Sequence, residues 1–327
     1  MAVVLVTGGH GFVGSHLVRR LIARGDRVRC LVRRPGIPES LQGLPVEVVP
    51  GDVTRPASLR AACEGVEEVF HLAAQLTSRT RREMFETNAR GTRWLLDAAW
   101  ASGPVKRFVY CSSLAVTGPS GLGPAHTEEA PHAPLTAYGA SKALGERIVH
   151  AFRDRGLATT IVRPPVVYGP RDRGLLQVFQ AAARGLKPLL GPQPKRYSWV
   201  YGDDLAEALV VLGRAPAAVG KTYFAAHPEV TTLEAFLDLA TAASGRRGRT
   251  IAVPEALLSL AAAASDLVAQ VTGTPGMLTR DKMNEVVPRG WTCSPAAAER
   301  DACWRARTPI SEGVPATVAW YRENGWI

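Results

Sequence analysis

Tyr138 and Lys142 stand four residues apart in the run YGASK. On a helix that spacing puts both side chains on one face. A free tyrosine has a pKa near ~10, and a neighbouring ammonium favours the phenolate and lowers that value. Such a pair suits proton transfer to or from a substrate oxygen. A second chemical signal opens the chain, in VLVTGGHGFVGSHLV. Gly8, Gly11 and Gly14 fall directly after one apolar run and before a helical stretch. Gly8 and Gly11 allow a tight turn and close approach of a pyrophosphate, and Gly14 lets the helix pack on the strand. The helix N-terminus adds free amides and the positive end of a dipole.

Both signals need elements to hold them. Short β-rich runs lie at 2–8, 27–33, 46–52, 68–74, 107–113 and 159–165, with helical stretches at 13–24, 56–64, 83–102 and 138–156 between them. Strands alternating with helices imply βαβ units and a parallel sheet, and the nearly continuous apolar runs fit strands covered on both faces. After residue 170 the alternation weakens. Pro- and Gly-rich loops at 185–196 precede a helix at 203–213, a strand-like run at 221–226 and helices at 231–244 and 254–271. The chain reads as α/β: a doubly wound parallel sheet with a smaller mixed C-terminal substrate-binding domain. The first domain covers 1–172, with 199–226 returning to it, and the cap covers 173–198 and 227–327.

The chain has 327 residues, 46% of them hydrophobic and 21% charged, a composition that excludes disordered and fibrous classes. The N-terminal run lacks a basic leader and reads as a buried strand rather than a signal peptide. The segment 256–271 is Ala-rich and too short to span a bilayer, so no integral membrane span is expected. The five cysteines are scattered without metal-ligand spacing, which implies free thiols in a cytoplasmic protein and no metal. Lys and Arg exceed Asp and Glu by 39 to 29. The arginines are dispersed rather than gathered on an aromatic-lined stripe, which argues against a nucleic-acid partner.

The landmarks along the chain resemble the short-chain dehydrogenase/reductase superfamily in its extended branch, over about residues 3 to 225. They are TGGHGFVG, then GDV at 51–53, HLAA at 71–74 and ETNARGT at 86–92. YCSS at 110–113, YGASK, RPPVVYGPRD at 163–172 and WVYGDDLA at 199–206 follow in the family's order. The resemblance implies a Rossmann-type dinucleotide site using Gly8, His10, Gly11, Phe12, Val13, Gly14, Asp52, Val53, Leu72, Ala73 and Ala74. It implies Ser113, Tyr138 and Lys142 as the catalytic group. Ser113 would orient the substrate oxygen, Tyr138 would exchange the proton, and Lys142 would tune Tyr138 and hold the nicotinamide ribose. Ser112 stands behind Ser113. Asn88 touches either ligand or backbone. Pro164, Pro165 and Val167 pack near the nicotinamide or belong to the core. Family members often dimerise through helices near 83–102 and 138–156, which makes a homodimer an expectation.

The second strand ends in Val32, Arg33 and Arg34, where NAD-preferring members usually carry an acid. An acid there would repel a 2′-phosphate, whereas Arg binds one by charge-assisted hydrogen bonds. NADP(H) is therefore the expected cofactor, with Arg33 as its main contact and NAD(H) as the alternative. Leu114 and Ala115 replace the acids of sugar dehydratases, Val166 replaces an Asn of nucleotide-sugar enzymes, and Tyr197 replaces their diphosphate Arg. The expectation is a ketone reductase or secondary-alcohol dehydrogenase for a fairly apolar small molecule, in the 3β-hydroxysteroid-dehydrogenase-like and dihydroflavonol-reductase-like group. Its pocket would draw on 75–82, 114–123, 166–176 and the cap, including the 254–275 helix, with Trp199 and Tyr201 either lining it or in the core. Two alternatives remain: a nucleotide-sugar 4-epimerase with tightly held NAD, and a non-catalytic dinucleotide-sensing regulator.

Overall fold

The computed structural model describes residues 2–34, 36–272 and 279–327. In chain order the strands are β1 (Val3–Thr7), β2 (Arg27–Val32), β3 (Val46–Pro50), β4 (Glu68–His71), β5 (Arg107–Cys111), β6 (Thr159–Arg163), β7 (Val166–Tyr168), β8 (Leu186–Leu190), β9 (Arg196–Tyr201), β10 (Thr222–Phe224), β11 (Val230–Thr232), β12 (Arg249–Val253) and β13 (Gly290–Trp291). Seven of them form one sheet in the order β10-β6-β5-β4-β1-β2-β3. Every pairing in it is parallel, for example Val6 opposite Cys30 on β2 and Phe70 on β4.

The period of two along β1 sorts the core into two layers. Val4 and Val6 pack with Leu17, Val18, Leu21, Leu205 and Leu209, from the Phe12–Ala23 and Gly202–Arg214 helices. Leu5 points the other way and joins Leu59, Leu95, Leu96 and Phe152, from the helices of the opposite face. With both faces covered, the strands can be apolar throughout. The six expected strands of the first half are present within three residues. The 83–102 stretch is more broken than its apolar pattern suggests. A short helix at Arg81–Phe85 passes through a π-helical turn at Glu86–Arg90 into the Gly91–Ser102 helix.

The later chain holds more strand than the sequence reading assigned. Residues 185–196, expected as loop, contain β8 and the start of β9. β8 tolerates Pro188 because among the described residues it pairs with β12 alone, away from the interior of a sheet. β9 pairs with β7, β11 and β13. Tyr168, Phe179, Trp199, Phe236 and Tyr321 form an aromatic core beside them.

Candidate active site

The strand order reverses between β1 and β4, and a crevice opens at the carboxyl ends of those strands, where open α/β sheets take ligands. Gly8 follows β1 at φ 72°, a left-handed conformation, and a Cβ there would lie 2.8 Å from the Ala73 amide nitrogen. Only glycine fits both demands. The turn is closed by Gly11 N–H donating to Gly8 O at 3.0 Å. At Gly14 a Cβ would sit 2.1 Å from Gly8 O, so this residue seats the helix on the turn. Gly11 caps the Phe12–Ala23 helix and has no side chain to satisfy its first amides, which leaves them for an anion.

The crevice has a volume of about 680 Å³. It is lined by Gly8, His10, Gly11, Arg33, Asp52, Val53, Leu72, Ala73 and Ala74, all expected there. Arg33 is exposed, and burial together with its charge lowers the His10 pKa. Asp52 turns Oδ1 to Thr54, accepting from its amide and its hydroxyl at 2.8 Å each. The remaining expected cofactor residues do not line this crevice. Phe12 meets His16 edge-on at 5.6 Å and covers Gly202, Val13 and Val167 pack against the core, and Pro165 follows β6. The walls also include Thr7, Leu31, Gly51, Thr54, Gln75, Thr80, Arg82, Glu83, Glu86 and Thr87, none of which the sequence motifs mark as cofactor residues. Arg82 is a second cation in the crevice. The adjacent pair Arg81–Arg82 was visible in the sequence, but only the helical phase of Arg81–Phe85 decides which one turns inward. Glycine turn, uncapped amides and two cations without an ion-pair partner among the described residues suit a dinucleotide phosphate.

Tyr138 and Lys142 share a face of the Ala137–Arg153 helix, whose first turn is fixed by Thr136 accepting from Gly139 N–H at 3.1 Å. Ser113 follows β5 at the head of a short 3-10 turn and accepts from Ala115 N–H at 3.1 Å. Burial raises the Tyr138 phenol above the usual tyrosine range, helped by the charges of Cys111 and Glu285, while a hydrogen bond from Ser113 pulls the other way. Lys142 is 1% exposed, and its Nζ lies 4.1 Å from the centre of the Tyr110 ring. Burial lowers its pKa to about 8, against the opposing pull of Cys111 and Glu146.

Three supports hold this group. Asn88, fully buried in the π-helical turn, accepts from Gln75 N–H at 2.7 Å and donates to Gln75 O and Ser141 Oγ at 2.9 Å each. It therefore ties the strand end after β4 to the helix of Tyr138, and its partners are protein groups. Glu146, one turn beyond Lys142, accepts from Arg163 at 2.8 and 2.7 Å, with His132 Nε2 2.9 Å away. Burial alone would raise its carboxyl, yet Arg163 and His132 hold it at about 2. Ser112 is buried behind Ser113 and its amide donates to Val162 O at 2.7 Å. The third support comes from the Arg280–Val286 helix. Asp281 accepts from Ala137 N–H at 3.1 Å, and Glu285 accepts from the Thr136 hydroxyl at 2.8 Å. These two carboxylates lie more than 140 residues along the chain from their partners, and no local signal identified them.

Beside Tyr138 is a pocket of about 300 Å³. Leu76, Thr80, Met84, Tyr138, Asp266, Lys282 and Glu285 are among its walls, and Thr80 also lines the crevice. The expected contributions from 75–82 and from the 254–275 helix, through Asp266, are present; residues 273–275 lie outside the described residues. The expected contributions from 114–123 and 166–176 are absent from its walls. Leu114, Ala115 and Val116 are buried in the turn after Ser113, and Asp172 caps the amides of Gly174 and Leu175. Trp199 stacks on Phe236 at 4.3 Å and Tyr201 packs on Tyr168 at 5.6 Å, so both belong to the aromatic core.

Residues 4–226 match the model of the NAD dependent epimerase/dehydratase family. A ceramide reductase of Caulobacter vibrioides is 34% identical over 99% of this chain and 96% of its own length. A 3 beta-hydroxysteroid dehydrogenase/Delta 5-->4-isomerase of Mycobacterium tuberculosis is 33% identical over 75% of this chain and 70% of its own. Among solved structures, a UDP-glucose 4-epimerase of Thermus thermophilus in complex with NAD superposes with a TM-score of 0.80 at 25% identity, over 98% of this chain and 99% of that one.

Proposed function

The chain belongs to the NAD dependent epimerase/dehydratase family, within the extended short-chain dehydrogenase/reductases, and on that premise we propose that it reduces a fairly apolar ketone, or oxidises the matching secondary alcohol, with NADP(H). That it is an NAD(P)-dependent oxidoreductase follows from relatives along most of its length that are named reductases and dehydrogenases. Two observations support the finer reading: the Tyr138 pocket and the dinucleotide crevice share Thr80 as a common wall, and the residue that follows β2 into the crevice is Arg33 rather than an acid.

When bound, the dinucleotide supplies or accepts a hydride at the substrate carbon. Ser113 hydrogen-bonds the substrate oxygen and holds it against Tyr138. Burial keeps Tyr138 a phenol, the form that donates a proton to the oxygen as alkoxide charge develops. Lys142, when protonated, stabilises the phenolate left behind. Asn88 and the Glu146–Arg163 pair fix the helix that carries both. The division into a dinucleotide domain (1–172 and 199–226) and a substrate cap (173–198 and 227–327) is part of this proposal.

The likeness to an epimerase holding NAD favours a second reading, a nucleotide-sugar 4-epimerase using the same Ser113 and Tyr138. Denaturing the purified protein and identifying released nucleotide separates the two. An exchanging reductase releases little, and that little is NADP. Stoichiometric NAD would overturn the reductase reading. Tyr138→Phe should then cut NADPH-dependent ketone reduction at least about 100-fold while leaving nucleotide binding intact; retained activity would remove Tyr138 from the chemistry.

A further inference from the structure

Over residues 255–266 the Glu255–Thr272 helix buries one side. Leu258 and Ala262 pack with Met283, flanked by Leu190 and Val253. The opposite side presents Leu257 at 57% and Leu260 at 68% exposure, with Ala256, Ala261 and Ala264 exposed around them. No charged residue occurs between Glu255 and Asp266. Ile251, exposed on the strand β12 that leads into the helix, extends the apolar face. A solvated helix face ordinarily carries charged and polar groups, and a contiguous apolar face marks a place where something docks.

The charges around the face indicate what docks. Arg246, Arg247 and Arg249 are exposed at the start of β12, within one strand length of the helix. At the far end Arg280 is exposed, its amide bound to Asp266 at 3.2 Å. None of these four side chains forms an ion pair among the described residues. A second copy of this chain, docked with the two helices parallel about a two-fold axis, would bring the same unpaired arginines towards each other. Anionic lipid headgroups would neutralise them while the leucines enter the acyl boundary, as interfacial helices do. No helix among the described residues is long and apolar enough to cross a membrane, so this one lies on the surface. Asp266 of the same helix lines the Tyr138 pocket, and Leu76, 66% exposed, stands on the pocket's wall.

We propose that this face docks on the headgroup layer of an anionic bilayer, which sets the Tyr138 pocket at the membrane surface. The docking does not depend on the reaction assigned above. The test is co-sedimentation of the whole protein with vesicles of equal parts phosphatidylglycerol and phosphatidylcholine, and with phosphatidylcholine alone. The protein should pellet with the anionic vesicles, pellet little with the neutral ones and be released by salt. Leu257→Glu with Leu260→Glu, both at exposed positions, should lower the partition coefficient at least about tenfold. Arg246→Glu with Arg247→Glu and Arg249→Glu should lower it comparably. Wild-type protein left in the supernatant, or binding indifferent to the leucine changes, would overturn the proposal. So would sedimentation velocity showing a dimer that the leucine changes dissociate, which would assign the face to a second copy.

Discussion

Lys142→Met should make the fold more stable while removing its activity. The ammonium is 1% exposed and has no ion pair among the described residues, so burial lowers its pKa from 10.5 to about 8. Each tenfold change in proton affinity is about 1.4 kcal/mol, so a charged Lys142 opposes folding by about 3 kcal/mol. Contact with the Tyr110 ring at 4.1 Å returns about 1–2 kcal/mol of that. Met fills nearly the same volume without charge, which leaves a net gain of about 1–2 kcal/mol at neutral pH, or about 2–3 °C in Tm for a chain of this length. The sign has a pH signature. The folded protein binds fewer protons than the unfolded one between about pH 8 and 10.5, so wild-type stability rises there with pH relative to the variant. Lys195, held at about 8 by its own burial, is present in both proteins and cancels in the difference. Urea unfolding of both proteins across that window is the assay. A variant no more stable than wild type at neutral pH, or a gap that widens as pH rises, would refute the reasoning.

On the proposed NADP(H) reading, Arg33→Ala should lower kcat/KM for NADPH about 5- to 30-fold and leave NADH nearly unchanged, as expected for the loss of one charge-assisted phosphate contact at an exposed site; steady-state kinetics with both cofactors checks it. Asn88→Ala leaves the Gln75 amide and carbonyl and the Ser141 hydroxyl short of partners in the interior, which should cost about 2–4 kcal/mol in chemical unfolding. Gly145→Ala would place a Cβ 2.1 Å from the Tyr110 hydroxyl oxygen; the overpacked helix should lose about 2–3 kcal/mol of stability and, because Lys142 rests on the same ring, activity as well.

The first half of the fold was legible because both of its signals are local. The glycine turn, the apolar runs of β1 to β6 and the Tyr138–Lys142 spacing each fit within about ten residues, and burial on both faces keeps the runs clean. The later strands gave no such pattern. β12 reads RTIAV and is exposed over most of its length, so no alternation marks it, and β8 carries a proline that ordinarily argues against strand. The site was legible to the same extent. Ser113, Tyr138 and Lys142 stand in recognisable strings. Asp281, Glu285 and Arg82 are common residue types in ordinary contexts, and only tertiary contact brings them to the site. Trp199 and Tyr201 show the converse: aromatic spacing alone does not distinguish a pocket wall from a stacked core.

The turn that opens the Tyr138 helix is tied down by residues synthesised long after it. By the time residue 226 has left the ribosome, all seven strands of the main sheet and the whole YGASK helix exist. Yet the Ala137 amide and Thr136 hydroxyl still await Asp281 and Glu285, and the segment after Ser113 awaits Gly290 and Thr292, whose carbonyls accept from the amides of Ser120 and His126 at 3.0 Å each. Every residue that lines the crevice is therefore synthesised well before the two carboxylates that tie down the start of the Tyr138 helix. A chain ending at residue 226 would lack these ties, and with them Ala298, Trp304 and Ala306, which pack into the same core as Val4 and Val6.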